Sequence, residues 1–278
     1  MPVTVSDVEL DEFFHTALAL VKEAGQTVRT AVQKEKKVET KAGFADLVTD
    51  TDKGVEKLII GNISAKFPDH KFIGEESTVE GCKHDLTDAP TWIIDPVDGT
   101  TNFVHTFPMV AVSVGLAVNK DIVLGIIYNP ILDLLYTARK GKGAFVNDSK
   151  LKVSNCKKLD KAIVMCEAGS GRAEERVHMV FENMKNILSR AHGIRSLGSA
   201  CMNMVMVAGG NADAYQEFGL HCWDMAAAKL IVEEAGGVVM DMNGDPIDIM
   251  NRRVLCASTP ELAQQIIKLV QYIDYERD

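Results

Sequence analysis

The run Trp92-Ile-Ile-Asp95-Pro-Val-Asp98-Gly-Thr-Thr-Asn102-Phe103 concentrates more chemistry than any other stretch of the chain. An apolar strand ends in Asp95, turns at Pro96 and offers Asp98 before Gly99-Thr100-Thr101. Two carboxylates leaving one strand can converge on hard cations, which take oxygen ligands. Gly99 lets backbone approach closely. If the amides of Gly99 and Thr100 open a helix, they form an anion cradle beside those cations. Cation ligands and anion-binding amides in one loop point to a phosphate ester. Taken alone, the same residues also fit a turn whose aspartates cap a helix.

Three further acidic segments share this ambiguity. Gly74-Glu75-Glu76-Ser77 follows a short apolar strand, and a lone Glu pair is usually a solvated turn. Trp223-Asp224-Met225-Ala226-Ala227 sets an aspartate at the start of a small-residue helix, where it complements the helix dipole. Thr49-Asp50-Thr51-Asp52 reads as a capped helix start. A capping carboxylate can also reach outward, so these ordinary roles and a shared site are compatible.

The elements that must position these residues follow from periodicity. Leu10, Phe13, Phe14, Ala17, Leu18, Val21, Ala24, Val28 and Val32 recur at helical spacing, after a Ser6-x-x-Glu9 capping box. A second helix is predicted over Thr51–Lys66, stopped by Pro68. Strands are predicted at Lys71–Gly74, Trp92–Ile94, Val110–Val118, Ile122–Tyr128, Leu134–Ala138 and Gly143–Val146. The second half alternates: strands at Ile163–Cys166, Ile194–Ser196 and Ala212–Glu217 are interleaved with helices near Arg172–Leu188, Ser199–Ala208 and Trp223–Ala235. Val238–Met242 and Pro246–Ile249 read as a hairpin across Asn243-Gly244. A strand at Val254–Ala257 precedes the Thr259-Pro260 helix start. The pattern is a strand-rich first half, about 1–150, and an α/β second half, about 151–278, with helices layered between sheets in a single domain.

Composition narrows the partners. The 278 residues carry 30 basic and 39 acidic side chains, a net charge of −9, and 46% are hydrophobic. Such a chain buries a substantial core. Its acidic balance argues against nucleic acid or an anionic membrane as partner. The longest apolar stretch, Met109 to Val118, is too short to span a bilayer. Cys82, Cys156, Cys166, Cys201, Cys222 and Cys256 form no metal-binding pattern and read as reduced thiols. No signal-like segment opens the sequence, so the expected location is cytoplasmic.

Taken together, Gly-Glu-Glu-Ser at 74–77, the Trp92–Phe103 run and Trp-Asp-Met-Ala-Ala at 223–227 resemble the inositol monophosphatase family in order and spacing. The resemblance extends from Leu47-Val-Thr-Asp-Thr-Asp52 to Arg252-Arg253. His192-Gly-Ile-Arg-Ser196 and Glu217-Phe-Gly-Leu-His-Cys-Trp-Asp224 are similar to the animal enzymes in particular. It implies a layered αβαβα sandwich of the sugar-phosphatase type and hydrolysis of inositol monophosphates, of the myo-inositol 1-phosphate kind, by activated water.

The resemblance also assigns roles. Glu75, Asp95 and the Val97 carbonyl are expected to hold one Mg2+, and Asp95, Asp98 and Asp224 a second, with a third, looser ion near Glu75. Val97 stands where many relatives carry Ile, but only its carbonyl is used. In a two-metal displacement one ion promotes the water nucleophile and the other stabilises the leaving alkoxide. Thr100 and Asp52 resemble the pair that orients and deprotonates the water, and the Gly99 and Thr100 amides face the phosphoryl oxygens. Glu217 is expected to read the polyol hydroxyls with Asp98, Asp224 and the backbone at Ala200. Lys41 resembles a mobile-loop lysine beside the active site, although alone it reads as a solvated surface residue. Lithium inhibition and a homodimer are family expectations.

Rival readings fit less well. A haloacid-dehalogenase-like phosphatase uses Asp-x-Asp-Gly-Thr, whereas Pro96 and Val97 separate the aspartates here. Asp241-x-Asn243-x-Asp245 begins like an EF-hand loop, but Pro246 and Arg252 stand where Gly and Glu are needed. Gly169-Ser-Gly171 and Gly141-Lys-Gly143 match no nucleotide-binding fingerprint. A phosphatase of another small polyol or sugar phosphate, and a non-catalytic metal-binding relative, remain open at this level.

Overall fold

The computed structural model describes residues 3–41, 43–79 and 85–278, which leaves Cys82 outside the described residues. Helix α1 (Asp7–Ala31) starts at Ser6 with the expected capping box. A short hairpin, β1 (Val38–Thr40) and β2 (Leu47–Thr49), leads into α2 (Asp50–Lys66). There follow β3 (Lys71–Gly74), α3 (Glu75–Val79), β4 (Thr91–Asp98) and α4 (Thr100–Val104). An antiparallel run then comprises β5 (Ala111–Val118), β6 (Asp121–Asn129), β7 (Leu134–Arg139), β8 (Gly143–Val146) and β9 (Ser149–Lys150). The second half holds β10 (Ile163–Cys166), α5 (Glu174–Leu188), β11 (Gly193–Arg195), α6 (Ala200–Ala208), β12 (Ala214–Phe218), α7 (Cys222–Glu234), β13 (Val238–Met240), β14 (Arg253–Ala257) and α8 (Pro260–Ile267).

Seven strands, β3 to β9 in chain order, form one sheet, in which β3 and β4 run parallel and later neighbours antiparallel. The order β11-β10-β12-β14-β13 forms a second, mixed sheet of five strands. Three apolar clusters arrange these into layers. Val21, Val28, Ile59 and Ile63 of α1 and α2 cover one face of the large sheet through Trp92, Ile94, Val114 and Ile126. Met204, Val205, Met225, Ala226, Leu230 and Ile231 of α6 and α7 lie between the sheets with Ile93, Ile127, Tyr215 and Cys256. Val180, Ile187, Leu262 and Ile266 of α5 and α8 close the outer face of the small sheet. The architecture is the layered αβαβα sandwich expected. Strands β4 and β5 are buried along their whole length, which fits a sheet covered on both faces.

One predicted element is corrected. Val238–Met242 does not form a hairpin with Pro246–Ile249: a turn at Gly244 leaves a single bridge, Met240 to Pro246, and Ile249–Asn251 winds into a short 3-10 turn. Pro246 has no amide with which to extend a ladder. Strand β13 pairs instead with β14, and Arg253 donates from Nε to both Asp241 oxygens, at 2.7 and 2.8 Å. Among the described cysteines all are free and only Cys156 is partly exposed. Among the described residues, no helix is long and apolar enough to cross a membrane.

Two glycines bring α7 onto the large sheet. Gly115 and Gly125 face each other across β5 and β6, and Ala226 and Ala227 of α7 settle over them. A Cβ at Gly125 would stand 2.5 Å from the Ala227 carbonyl oxygen, a backbone atom that cannot swing aside. Because α7 carries Asp224, this close approach sets how deep that carboxylate lies. Gly125→Ala is expected to destabilise the protein by about 1–3 kcal/mol through overpacking, read as a lowered urea midpoint. A midpoint equal to wild type would contradict the contact.

Candidate active site

The acidic residues converge because of where their elements end. Strands β3 and β4 run parallel with Gly74 beside Ile94, so Glu75 and Asp95 leave the same end of the sheet. Pairing of β4 with β5 slips between Asp95 and Asp98, and the Val97 amide donates to Asp95 Oδ1 at 3.0 Å. This irregularity turns Asp98 into the same pocket. Gly99, at φ +86°, opens α4, and a Cβ there would lie 2.8 Å from the Met109 carbonyl oxygen, so both conformation and space call for glycine.

Asp98 meets α6 at its start. Its Oδ1 accepts from the Ala200 amide at 3.2 Å, and its Oδ2 accepts from the Cys201 amide at 2.8 Å and from the Ser199 hydroxyl. Asp224 lies in the first turn of α7, where its Oδ2 accepts from the His221 amide at 2.7 Å. Asp95, Asp98 and Asp224 each bring an oxygen to one point, all within 4.8 Å of one another. Asp224 thus caps its own helix while an oxygen of it meets Asp95 and Asp98, whereas α4 starts without a side-chain cap and Asp98 closes the start of α6 instead.

This trio is electrostatically expensive. Asp95 and Asp98 are buried. Burial, then repulsion from Glu75, Asp98 and Asp224, drives the Asp95 carboxyl well above the ordinary carboxylate range. Asp224 is raised likewise by burial and then by Asp98. Asp98 is raised by burial, opposed by the Ser199 hydroxyl and the Cys201 amide. Buried like charges need protons or a cation. The donors are all carboxylate oxygens, with neither thiolate nor imidazole among them, so the set fits a hard divalent cation.

Glu75 lies outside the trio. Its Oε1 accepts from Lys41 Nζ at 2.7 Å, and Lys41 also donates to Glu76 Oε1 at 2.7 Å. Burial raises the Glu75 carboxyl to about 7 despite the opposing charge of Lys41. The Lys41 side chain is only 9% exposed, so it is not the solvated lysine that its sequence context alone describes. Desolvation works against its ammonium, but Glu75 and Glu76 outweigh this and hold its pKa above the ordinary value. The Val97 carbonyl lies 3.1 Å from Thr100 Oγ1.

Asp52 and Thr100 meet as expected, with Thr100 Oγ1 3.2 Å from Asp52 Oδ1. The other oxygen, Oδ2, accepts from the Thr49 amide at 2.9 Å and its hydroxyl at 2.5 Å, completing the cap of α2. Glu217 sits buried on β12, with the Tyr215 hydroxyl donating to its Oε2 at 2.5 Å and Oε1 left toward Gly169.

Several supporting residues carry no signal in the sequence. Glu56, buried on α2, accepts from the Glu76 and Ser77 amides at 2.8 Å each and so holds α3, which begins with Glu75. Glu167 accepts from the Leu197 and Gly198 amides at 2.5 and 2.7 Å, fixing the loop that delivers Ser199 and Ala200. Arg176, also buried, donates to the Phe218 carbonyl at 3.0 Å, beside Glu217. None has a motif-like neighbourhood; each is known by a partner at least 20 residues away. Chemistry and cavity size do not coincide. A cavity of about 1050 Å³ bounded by Lys120, Asp121, Lys229, Met250 and Arg277 holds none of the converging carboxylates.

The chain is similar to known proteins along nearly its whole length. The inositol monophosphatase family profile matches residues 9–275. Human inositol monophosphatase 1 is 52% identical over 263 residues, covering 94% of this chain and 95% of the human protein. Among solved structures, the Thermotoga maritima IMPase superposes with a TM-score of 0.82 at 29% identity, covering 93% of this chain and 96% of that one. SaIMPase-II bound to inositol monophosphate, from Staphylococcus aureus, gives a TM-score of 0.77 at 28% identity, covering 92% of each chain.

The buried carboxylates predict a pH dependence in the metal-free protein. Burial, opposed by the Tyr215 hydroxyl, lifts Glu217 from its ordinary 4.5 to about 8. Across that window the folded state keeps a proton that the unfolded chain has released. Stability from this group therefore falls as pH rises through it. Urea midpoints of EDTA-treated protein are expected to drop between about pH 5 and about pH 8, with a shallower drop in Glu217→Gln. Equal slopes in the two proteins would contradict the buried, proton-holding state of Glu217.

Proposed function

This chain belongs to the inositol monophosphatase family, and on that premise we propose that its acidic pocket hydrolyses inositol monophosphates of the myo-inositol 1-phosphate type, with Mg2+ as cofactor. It is a phosphoric monoester hydrolase. The observation that carries the reading is the meeting of Asp95, Asp98 and Asp224 within 4.8 Å, flanked by the Thr100–Asp52 pair and by Glu217. Asp95, Asp98 and Asp224 would hold one Mg2+, and Asp95, Glu75 and the Val97 carbonyl another, with a third, looser position by Glu75. When bound, these ions neutralise the carboxylates, acidify water and offset charge on the phosphate.

The protein's own groups then act as follows. Asp52 Oδ2 is saturated by Thr49, so Oδ1 is the oxygen that faces Thr100. Thr100 Oγ1 donates to it and turns its lone pairs outward, to accept a proton from the attacking water and pass its own to Asp52. Burial raises the Asp52 carboxyl despite the opposing hydrogen bonds of Thr49, which makes it a stronger proton acceptor than a solvated aspartate. The Gly99 and Thr100 amides face the phosphoryl oxygens from the start of α4. Glu217 Oε1 faces the vicinal hydroxyls of the cyclitol, with Asp98, Asp224 and the main chain of Ala200 completing the contact. The Ala200 amide is already engaged by Asp98, so one interaction links substrate reading to the cation site. Lys41 steadies Glu75 and Glu76. Lithium inhibition, a homodimeric assembly, a single folding domain and a cytoplasmic location belong to the same proposal.

Two measurements test it. Phosphate release from inositol 1-phosphate is expected to require Mg2+ and to fall about 100-fold or more in Asp98→Asn, in line with loss of a metal ligand or its close support. Thr100→Val and Asp52→Asn are expected to lower kcat by roughly 100-fold with little change in KM. Unchanged turnover in Asp98→Asn would sink the site assignment. In a substrate panel, Glu217→Ala is expected to cost about tenfold or more in kcat/KM for inositol 1-phosphate while sparing a phosphate ester without hydroxyls. Equal losses on both would remove Glu217 from substrate reading.

A further inference from the structure

The polyol reader Glu217 and the cation ligand Asp224 are joined by one turn, from the end of β12 to the start of α7, and that turn is clasped from outside. Arg252 grips it twice. Its carbonyl accepts from the Gly219 and Leu220 amides at 2.7 and 3.1 Å, and its Nε donates to the Leu220 carbonyl at 2.8 Å. One terminal guanidinium nitrogen lies 2.9 Å from His221 Nε2. Guanidinium only donates, so Nε2 is the acceptor and the ring proton of a neutral His221 is on Nδ1. That nitrogen lies 2.6 Å from Asp278 Oδ1, while Asp278 Oδ2 accepts from the Cys222 amide at 2.7 Å. The His221 main-chain amide, in turn, donates to Asp224 Oδ2.

Asp278 is well placed to keep this arrangement rigid. Its side chain is 9% exposed and lies 3.7 Å from the Arg252 Nε, which offsets its buried charge. Its own amide donates to the Met250 carbonyl at 3.2 Å. Behind it, Tyr275 stacks on Phe218 with ring centroids 6.5 Å apart and lies under the Arg252 guanidinium at 5.1 Å. His221 stacks on Trp223 at 4.5 Å with planes 7° apart, so its ring is held on one face as well as at both nitrogens. The residue whose amide fixes Asp224 thus has almost no freedom to rotate.

We propose that Asp278 and Arg252 are positioning residues for Asp224: by locking His221 and the first turn of α7, they aim the remaining Asp224 oxygen at Asp95 and Asp98. The proposal rests on the reading of these three carboxylates as the cation site. Neither Asp278 nor Arg252 lies among the residues expected to touch cation or substrate, and Asp278 is separated from Asp224 by 54 positions of chain.

The test uses Mn2+ as probe, with free Mn2+ followed by electron paramagnetic resonance in the full chain stripped of metal. Asp278→Ala removes both acceptors and is expected to raise the Mn2+ dissociation constant about tenfold, as for other outer partners of metal ligands. Asp278→Asn retains one acceptor oxygen and is expected to fall between wild type and Asp278→Ala. It carries the comparison if Asp278→Ala does not fold by circular dichroism. A merely structural role would lower the melting temperature without this graded loss of Mn2+ affinity. Mn2+ binding lost in Asp98→Asn but unchanged in a folded Asp278 variant overturns the positioning role alone. Binding indifferent to both Asp98→Asn and the Asp278 variants overturns the reading of the site beneath it.

Discussion

The mutual repulsion of Asp95, Asp98 and Asp224 in a buried pocket is the constraint around which the rest of the molecule is arranged. Carboxylates do not gather out of water unless something offsets their charge. Part of the offset is built from the chain itself. The start of α6 supplies two amides and a hydroxyl to Asp98, the start of α7 supplies an amide to Asp224, and Lys41 supplies its ammonium to Glu75 and Glu76. Helix N-termini suit this task because their amides are unpaired and their dipoles favour negative charge. What remains uncompensated is the pocket's affinity for cations, and through them for a phosphate.

The layered fold delivers these compensating ends to one place. Helices α6 and α7 run between the two sheets, so each can start beside the end of β4 and still bury its length. Small residues make that possible: Gly115 and Gly125 on the sheet face Ala226 and Ala227 on α7. A bulkier pair would lift α7, and Asp224 with it. Glu56 plays the corresponding part for α3, and Arg252 for the turn before α7. Stability and site geometry are therefore the same set of contacts seen at two distances.

Much of this was legible in one dimension. The Trp92–Phe103 run states its strand, its turn and its two acids in order, and β3, α2 and α7 follow from periodicity to within a residue or two. Asp52, Thr100 and Glu217 owe their expected roles to the resemblance, and the structure brings Asp52 to Thr100 across 48 positions. What stayed hidden depends on distant partners. Lys41 looks solvated until Glu75 and Glu76 are folded against it, and Glu56, Glu167 and Arg176 acquire roles only through main-chain groups far along the chain. The supposed hairpin at 238–249 failed for a similar reason. Its Asn243-Gly244 turn is real, but β14 offers β13 a full ladder that Pro246 cannot.

On the proposed reading, phosphate enters the pocket through cations held by its carboxylates, since a net charge of −9 and three converging aspartates would otherwise repel it. Isothermal titration of inorganic phosphate into the metal-stripped protein, with and without added Mg2+, tests this most directly. Saturable binding is expected only when Mg2+ is present. Phosphate binding of equal affinity in EDTA would contradict the account.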